Sequence, residues 1–247
     1  MTERAPVLRV DDADGVRLLT MNRPEARNAF NIELYDRVRA ALEDASASPE
    51  IATCLITGAG DMFSAGQDLK EYSADPAGLG DPDHGFVPFV RALAAFDKPL
   101  VAAVNGAAVG VGFTMLLHCD LVFVSDDARF RTPFVALGFA PEAGSSALLP
   151  ARIGPQAAAN MLFSGAWMDA EWAVTNGLAW QRCSPSDLLA EAMTAAVQIA
   201  SMPLDPLIAA KKLLLAARSE AVSAALDREL AEVLRLVGLA DHSVTGR

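Results

Sequence analysis

The first two thirds of the chain alternate between short apolar runs and loops that contain glycine, proline or asparagine. Such bounded apolar runs are typical of buried strands. They predict strands at residues 7–10, 16–21, 51–57, 100–104, 121–125 and 128–130. Between strands, apolar residues recur at helical spacing, most clearly in a helix that Asn31 would cap and whose apolar positions are Ile32, Tyr35, Val38 and Leu42. This alternation predicts an α/β chain.

From residue 153 onward a helical pattern replaces the alternation, and it predicts helices at residues 157–163, 169–176, 207–217 and 220–237. The last of these carries an aliphatic stripe that we interpret as a packing face between subunits, formed by Leu226, Leu230, Val233, Leu234 and Val237. A segment rich in glycine, proline and aspartate, residues 73–88, is predicted to be a mobile surface loop.

One carboxylate, Glu142, lies in a stretch of mostly apolar and small residues, 132–146, directly after Pro141. This position predicts a residue at or near the start of a short helix. Apolar surroundings disfavour the charged form and raise the pKa of a carboxyl group, so Glu142 could take up and return a proton near neutral pH. The alternative is a glutamate that faces water and is favoured there by the helix dipole.

Two loops of small residues each follow an apolar strand and lead into a helix. The first contains Gly66, and the second contains Gly110 and Gly112. Unpaired backbone N–H groups at a helix start bind negatively charged oxygen, and two of them that converge would form an oxyanion hole. Each loop taken alone is equally compatible with a simple tight turn.

Composition narrows the class of protein. The 247 residues are 52% hydrophobic and carry a net charge of −11, which argues against nucleic acid as the main partner. The three cysteines are far apart and form no metal-binding pattern. The sequence shows neither a signal peptide nor an apolar run of membrane-spanning length. We therefore expect a soluble, cytoplasmic protein that binds neither metal nor membrane.

Three motifs resemble the enoyl-CoA hydratase/isomerase (crotonase) superfamily. They are Phe-Ser-Ala-Gly-Gln-Asp-Leu at residues 63–69, Lys-Pro-Leu-Val-Ala-Ala-Val-Asn-Gly at 98–106, and Cys119-Asp120. The resemblance covers nearly the whole chain. It implies an α/β crotonase (ClpP-like) spiral of ββα units over residues 1–190. It also implies a C-terminal helical region, residues 191–247, that assembles homotrimers, often stacked into hexamers.

The resemblance also implies a ligand, an acyl-CoA thioester, with no cofactor beyond the coenzyme A of the substrate. The thioester oxygen would be held by the backbone N–H groups of Ala65 and Val111. Arg27 would contact the CoA phosphates, and the other candidates for CoA contacts are Ala26, Asn28, Asp68 and Leu69. Lys211 or Lys212 could also reach CoA, or could simply lie on a solvated helix face.

The reaction depends on which carboxylates are present. The two glutamates of the hydratases are matched here by Thr114 and Phe134, so hydration by two carboxylates is not available at those positions. The stretch around Glu142 resembles the peroxisomal-type delta-3,delta-2-enoyl-CoA isomerase branch, in which the glutamate after the proline is the single base. Phe134, Leu137 and Phe139 would form an apolar acyl pocket, or could be ordinary core residues.

The resemblance therefore implies an isomerase that moves the double bond of a 3-enoyl-CoA to the 2-trans position in fatty acid β-oxidation. One alternative is a hydratase or another crotonase-type acyl-CoA enzyme. The other is a non-catalytic acyl-CoA-binding protein. His118, on an apolar helix, is interpreted as a core histidine rather than a catalytic one.

Overall fold

A computed structural model describes residues 5–74, 81 and 83–244, with the side chains of 72–74 and 237–244 left out. The chain begins with an antiparallel hairpin of β1 (Leu8–Ala13) and β2 (Val16–Met21). Its turn, Asp14 and Gly15, has the positive φ angles (52° and 75°) that such turns need, as predicted for this dipeptide.

The remaining strands divide between two sheets. The large sheet has six strands in the order β1-β2-β3-β5-β7-β10, in which β3 is Thr53–Gly58, β5 is Leu100–Val104, β7 is Leu121–Ser125 and β10 is Gln181–Cys183. The small sheet has the order β4-β6-β8-β9, formed by Met62–Ser64, Ala107–Val109, Arg129–Arg131 and Met168–Asp169.

The three strand pairs β3–β4, β5–β6 and β7–β8 share one arrangement. Each pair places its first strand in the large sheet and its second in the small sheet, where it runs parallel to its counterparts in the other pairs. A helix follows each pair in the chain. This is the predicted spiral of ββα units.

Ten α-helices complete the described part of the chain. They are α1 Ile32–Ala47, α2 Leu69–Ala74, α3 Phe86–Ala95, α4 Val111–Thr114, α5 Ser145–Ile153, α6 Pro155–Ser164, α7 Ala170–Thr175, α8 Leu188–Ala200, α9 Leu204–Ala216 and α10 Ser219–Val244. Short 3-10 turns occur at Pro24–Ala26, Met115–His118 and Val135–Leu137. In the described residues no single helix has the length and apolarity to cross a membrane, and only the pair α8 and α9, bent by 109°, passes that test jointly.

The central strands β3, β5 and β7 of the large sheet are buried on both faces, which explains why they are nearly continuous apolar runs. Along β5, Ala102 and Val104 face the main core, whereas Val101 and Ala103 face the opposite side. Helix α8 covers that second side with residues spaced four apart, Leu188, Ala192 and Ala196. The domain boundary predicted at residue 190 falls inside this helix.

Two local predictions differ from the structure. The loop that contains Gly66, which the sequence predicts over residues 63–71, includes the end of β4 and the start of α2. Of the predicted surface segment 73–88, residues 75–80 and 82 lie outside the described residues, and its last part is already the start of α3. The prediction that Glu142 lies near the start of a short helix is confirmed, since it lies three positions before the first residue of α5.

Candidate active site

The two glycine loops lie against each other at one edge of the small sheet. Strands β4 and β6 are parallel, with Ser64 opposite Ala108, so the chain leaves both strands on the same side. Gly66 follows β4 with φ +91°, and a Cβ atom there would lie 2.7 Å from the carbonyl oxygen of Val109. Only glycine therefore allows this backbone contact.

Among the described residues that border the cavity, each loop contributes a backbone N–H without a hydrogen-bond partner, that of Gln67 in the first loop and that of Val111 in the second. Val111 is the first residue of α4, where a helix leaves its N–H groups without internal acceptors. Gln67 forms an isolated parallel bridge with Phe30. In this bridge the N–H of Phe30 donates to the carbonyl oxygen of Gly66, and the N–H of Asp68 donates to the carbonyl oxygen of Phe30. Within the described residues, neither the Gln67 nor the Val111 N–H has a hydrogen-bond partner.

The structure corrects the prediction for Ala65. Its N–H donates to the carbonyl oxygen of Arg27 at 2.9 Å and is therefore not available to a ligand. The first loop offers the N–H of Gln67 instead, two residues later. The Gln67 side chain is fixed as well, because its Oε1 accepts a hydrogen bond from the hydroxyl of Tyr35 at 2.6 Å.

A cavity of about 220 Å³ lies in front of these two donors. Its walls include both glycine loops and the three residues predicted for the acyl pocket. Phe134 is buried, Phe139 is half-buried, and Leu137 is 52% exposed at the rim. Glu142 borders the same cavity, so the structure brings together the predicted carboxylate, the glycine loops and the predicted apolar wall.

The environment of Glu142 favours its protonated form. Removal from water raises the pKa of this carboxyl from 4.5 to about 8, and the negative charge of Glu229 contributes in the same direction. Within the described part of the chain the Glu142 carboxyl accepts no hydrogen bond, so no donor offsets the desolvation. This environment differs from that of a solvent-facing residue at a helix start.

A second cavity borders Glu142 on its other side, between α3 and α10. Its apolar walls are formed by Phe86, Val87 and Val90 of α3 and by Leu226, Leu230 and Val233 of α10. The aliphatic stripe of α10, which was predicted to pack between subunits, thus packs in part within this chain. Leu234 is 47% exposed, and the side chain of Val237 lies outside the described residues.

The two positions of the hydratase glutamates hold no carboxylate. Thr114 is fully buried and does not border the first cavity, and its hydroxyl has no hydrogen-bond partner in the part of the chain that is described. Phe134 borders the cavity and supplies only an aromatic ring.

The residues predicted to contact CoA differ in their availability. Arg27 is exposed, and within the described residues its side chain forms no ion pair. Ala26 is half-buried at the end of a 3-10 turn. Leu69 is 52% exposed and borders the cavity of Glu142. These three residues can still reach a ligand.

Asn28 does not support the prediction of a CoA contact. Its side chain is completely buried. Its Nδ2 donates to the carbonyl oxygens of Ala59 and Met62 at 2.8 Å each, and its Oδ1 accepts the N–H of Arg23 at 2.9 Å. All of its side-chain hydrogen-bonding groups are therefore used by the protein backbone.

Asp68 is also used within the protein. Arg23 donates to one carboxylate oxygen at 2.9 Å, and the N–H of Lys70 donates to the other at 3.1 Å. Burial alone would raise the pKa of Asp68, but these hydrogen bonds outweigh it and lower the pKa below its ordinary value. Asp68 therefore stabilises the loop that carries Gln67.

The two lysines considered for CoA lie elsewhere. Lys211 is buried, and its Nζ forms an ion pair with Asp120 at 2.6 Å. Lys212 is exposed and pairs with Asp97 at 3.6 Å. Neither borders the cavity of Glu142.

Two residues near Glu142 were not assigned to the site from the sequence. His118 is buried beside Ala143, and burial lowers the pKa of its imidazole to about 4. Glu229 of α10 is buried against the loop after Glu142. The sequence did contain an indication that Glu229 is buried, because this acidic residue lies within the aliphatic stripe that includes Leu226 and Val233.

Comparison with known proteins identifies the family. Residues 11–237 match the family described as Enoyl-CoA hydratase/isomerase. The chain belongs to this family. Its crotonase fold is confirmed by the crystal structure of an enoyl-CoA hydratase/isomerase from Pseudoalteromonas atlantica T6c. That structure superimposes with a TM-score of 0.88 at 37% identity over 94% of this chain and 91% of the other.

Relatives within the family have different activities in their names. The chain is 36% identical over 221 residues to the 1,2-epoxyphenylacetyl-CoA isomerase of Escherichia coli (strain K12), covering 87% of this chain and 84% of the relative. It is 35% identical over 224 residues to enoyl-CoA delta isomerase 2 of Rattus norvegicus, covering 89% of this chain but 57% of that longer protein. Relatives named as hydratases match at comparable identity.

In the described residues no group of histidine, cysteine, aspartate or glutamate side chains is arranged to hold a metal ion. Around the first cavity the structure brings together the Glu142 carboxyl, the backbone N–H groups of Gln67 and Val111, and an apolar wall.

Proposed function

We propose that this protein is an enoyl-CoA isomerase that moves the double bond of a 3-enoyl-CoA to the 2-trans position. Glu142 is the base, and the N–H groups of Gln67 and Val111 hold the thioester oxygen. One observation carries the proposal: among the described residues that border the cavity, Glu142 is the only one with an ionisable side chain. The resemblance to the delta-3,delta-2-enoyl-CoA isomerase branch supports it, and that branch serves fatty acid β-oxidation.

The proposed reaction needs no water and no cofactor. The Glu142 carboxylate removes a proton from C2 of the acyl chain. The electrons of that C–H bond form a C1–C2 double bond, and the C=O π electrons move onto the thioester oxygen, which gives a dienolate. When the oxygen electrons form the C=O bond again, the C1–C2 π electrons become the C2–C3 double bond, and the electron pair of the old C3–C4 double bond takes the same proton at C4. The product is the conjugated thioester, and the carboxylate is regenerated.

The barrier lies mainly in the weak acidity of the C2 proton. Negative charge develops on the thioester oxygen, and one well-placed backbone donor lowers the barrier by roughly 3–4 kcal/mol. A positioned base adds about 10²–10⁴-fold in rate. The apolar wall at Phe134 and Phe139 excludes water from the dienolate.

Hydration would require a second carboxylate to handle water. The second carboxylate near Glu142 is Glu229, and both of its oxygens already accept backbone hydrogen bonds. Neither Thr114 nor Phe134 can replace it. These observations favour isomerisation over hydration.

The Glu142→Gln variant tests the proposal, because glutamine has the same shape but cannot take up the proton. Conversion of a 3-enoyl-CoA is followed by the absorbance of the conjugated thioester, and acyl-CoA binding is measured by calorimetry. We expect isomerisation to fall by at least about 10²-fold while binding persists.

The matched control is Glu232→Gln, an exposed residue of α10 that pairs with Arg235; it should behave like the wild type. Retention of most activity in Glu142→Gln would disprove the role of this residue. A wild-type protein that binds acyl-CoA of several chain lengths but converts none would be an acyl-CoA-binding protein instead.

The proposal includes assembly as a homotrimer or a dimer of trimers, in the cytoplasm. The assembly is supported by large apolar side chains that this single chain leaves exposed, including Phe163 (73%), Trp180 (67%) and Leu213 (74%). Analytical ultracentrifugation tests the assembly, and a monomer at micromolar concentration would contradict it.

A further inference from the structure

The loop that carries Glu142 has an unusual backbone. The two residues after it, Ala143 and Gly144, both have left-handed φ angles, 58° and 73°. Alanine avoids this region because of its Cβ atom, so such a conformation persists only where the surroundings hold it. The conformation determines where the chain directs Glu142 before α5 begins at Ser145.

Glu229 holds one side of this loop. It lies on α10, more than 80 residues away in sequence, and is only 6% exposed. Its Oε2 accepts the N–H of Gly144 at 2.6 Å, and its Oε1 accepts the N–H of Ser146 at 2.7 Å. These N–H groups have no acceptor within α5, because a helix leaves its first donors unpaired. Glu229 thus caps α5 from a distant helix.

His118 holds the other side. The imidazole is 1% exposed, and its Nε2 lies 2.8 Å from the carbonyl oxygen of Ala143. A carbonyl oxygen can only accept, so Nε2–H donates. The left-handed turn is therefore bound on one side by a 3-10 turn of the core and on the other by the C-terminal helix.

We propose that Glu229 and His118 are positioning residues that fix the turn after Glu142 and so hold the Glu142 carboxyl between the two cavities. This inference rests on the proposed function of Glu142. The two residues bind the backbone of residues 143–146 and leave the carboxyl itself free to exchange protons. Glu229 also disfavours ionisation of Glu142, since its carboxylate opposes a second negative charge nearby.

Other ionisable groups also face this region. Arg91 of α3 and Asp227 of α10 border the second cavity together with Glu142. Tyr35 of α1 lies close enough that the charge of Glu142, after burial, helps to raise the pKa of its hydroxyl. Glu229 differs from these groups because it is both hydrogen-bonded to the turn and near the carboxyl.

The test uses Glu229→Gln and Glu229→Ala in the full-length protein, with Glu232→Gln as the control on the same helix. Glutamine keeps the shape and one acceptor but removes the charge. We expect the acidic limb of the pH profile of kcat/KM to move to lower pH, because Glu142 then ionises more easily. Alanine removes both acceptors, and we expect kcat to fall by about 10²-fold, as for a misplaced catalytic group, with KM changed less than threefold.

His118 is tested by a pair of variants. His118→Leu removes the donor to Ala143 and should lower kcat, whereas His118→Gln offers an amide N–H at a similar reach and should restore most of it. Thermal unfolding of every variant shows which of them fold. If Glu229→Ala does not fold, Glu229→Gln and the His118 pair still decide the matter.

An infrared titration without substrate separates this inference from the proposed function. The C=O band of the protonated Glu142 carboxyl is identified by its loss in Glu142→Gln, and its midpoint should move to lower pH in Glu229→Gln. If wild-type protein does not isomerise 3-enoyl-CoA but the midpoint moves, the proposed function fails and the coupling stands. If wild-type protein is active and neither the midpoint nor kcat changes in the folded variants, the positioning role is refuted.

Discussion

Glu142 should make the protein less stable at alkaline pH. In the unfolded chain its carboxyl ionises around its ordinary pKa of 4.5, whereas in the folded chain burial raises the pKa to about 8. Between these values the folded protein holds a proton that the unfolded chain has released. The free energy of unfolding therefore falls as the pH rises through this window, and the loss is complete above the folded pKa.

The magnitude follows from the two pKa values. A rise from 4.5 to about 8 corresponds to an upper limit of roughly 5 kcal/mol, at 1.36 kcal/mol for each pH unit. The carboxyl borders a cavity in which water can screen it, so we expect a measured effect on the order of 2–3 kcal/mol. Glutamine has no proton to lose and should avoid this penalty.

The assay is denaturant unfolding of wild type and Glu142→Gln at about pH 5 and about pH 9, at one protein concentration so that association contributes equally. We expect similar stability near pH 5 and a clear advantage for Glu142→Gln near pH 9. Glu232→Gln controls for the loss of one negative charge. An identical pH dependence of wild type and Glu142→Gln would show that Glu142 is not buried in its neutral form and would refute the reasoning.

Three further predictions concern the glycine loops, the predicted CoA contacts and the type of reaction. Gly66→Ala should lower kcat/KM by about 10²–10³-fold in the 3-enoyl-CoA assay. The added Cβ would lie 2.7 Å from the Val109 carbonyl oxygen, so the loop and the backbone donor of Gln67 would have to move. Normal activity of this variant would exclude close contact of the two loops. Arg27→Ala should raise the KM for acyl-CoA with little change in kcat, whereas Asn28→Ala should lower the melting temperature, since it removes three buried hydrogen bonds. Equal effects of these two changes on KM would contradict their separate roles. Wild-type protein should hydrate crotonyl-CoA weakly or not at all, and a rate comparable to isomerisation would contradict the one-carboxylate mechanism.

Six of the ten described strands, β1, β2, β3, β5, β7 and β8, were predicted from local apolar patterns, whereas the short strands β4, β6, β9 and β10 were not. Strands buried on both faces are apolar throughout, and their ends are marked by glycine and asparagine, as at Asn105-Gly106 after β5. Helix α3 was not predicted, since it follows a glycine- and proline-rich stretch and carries Pro88 in its first turn. Proline is tolerated there because the first N–H groups of a helix need no internal acceptor.

The kinds of chemical group at the candidate site were predictable from the sequence, but the individual atoms that are free to contact a ligand were not. The apolar surroundings of Glu142 in the sequence already indicated a raised pKa. Which backbone N–H is free in the loop 63–69 depends on a hydrogen bond to a distant residue, so Ala65 was chosen where the structure offers Gln67. Asn28 and Asp68 were candidates for CoA contacts because the family resemblance implied them, but both bond to the protein itself.

The position of α10 in the chain has a consequence for biosynthesis. Val233 borders both cavities, and Glu229 caps the helix that follows Glu142, so the last helix supplies both a wall and a support of the site. A ribosome delivers these residues after every other part of the site. A nascent chain that stops before α10 could pair the ten described strands, yet it would leave the pocket open and the turn after Glu142 without its hydrogen bonds to Glu229.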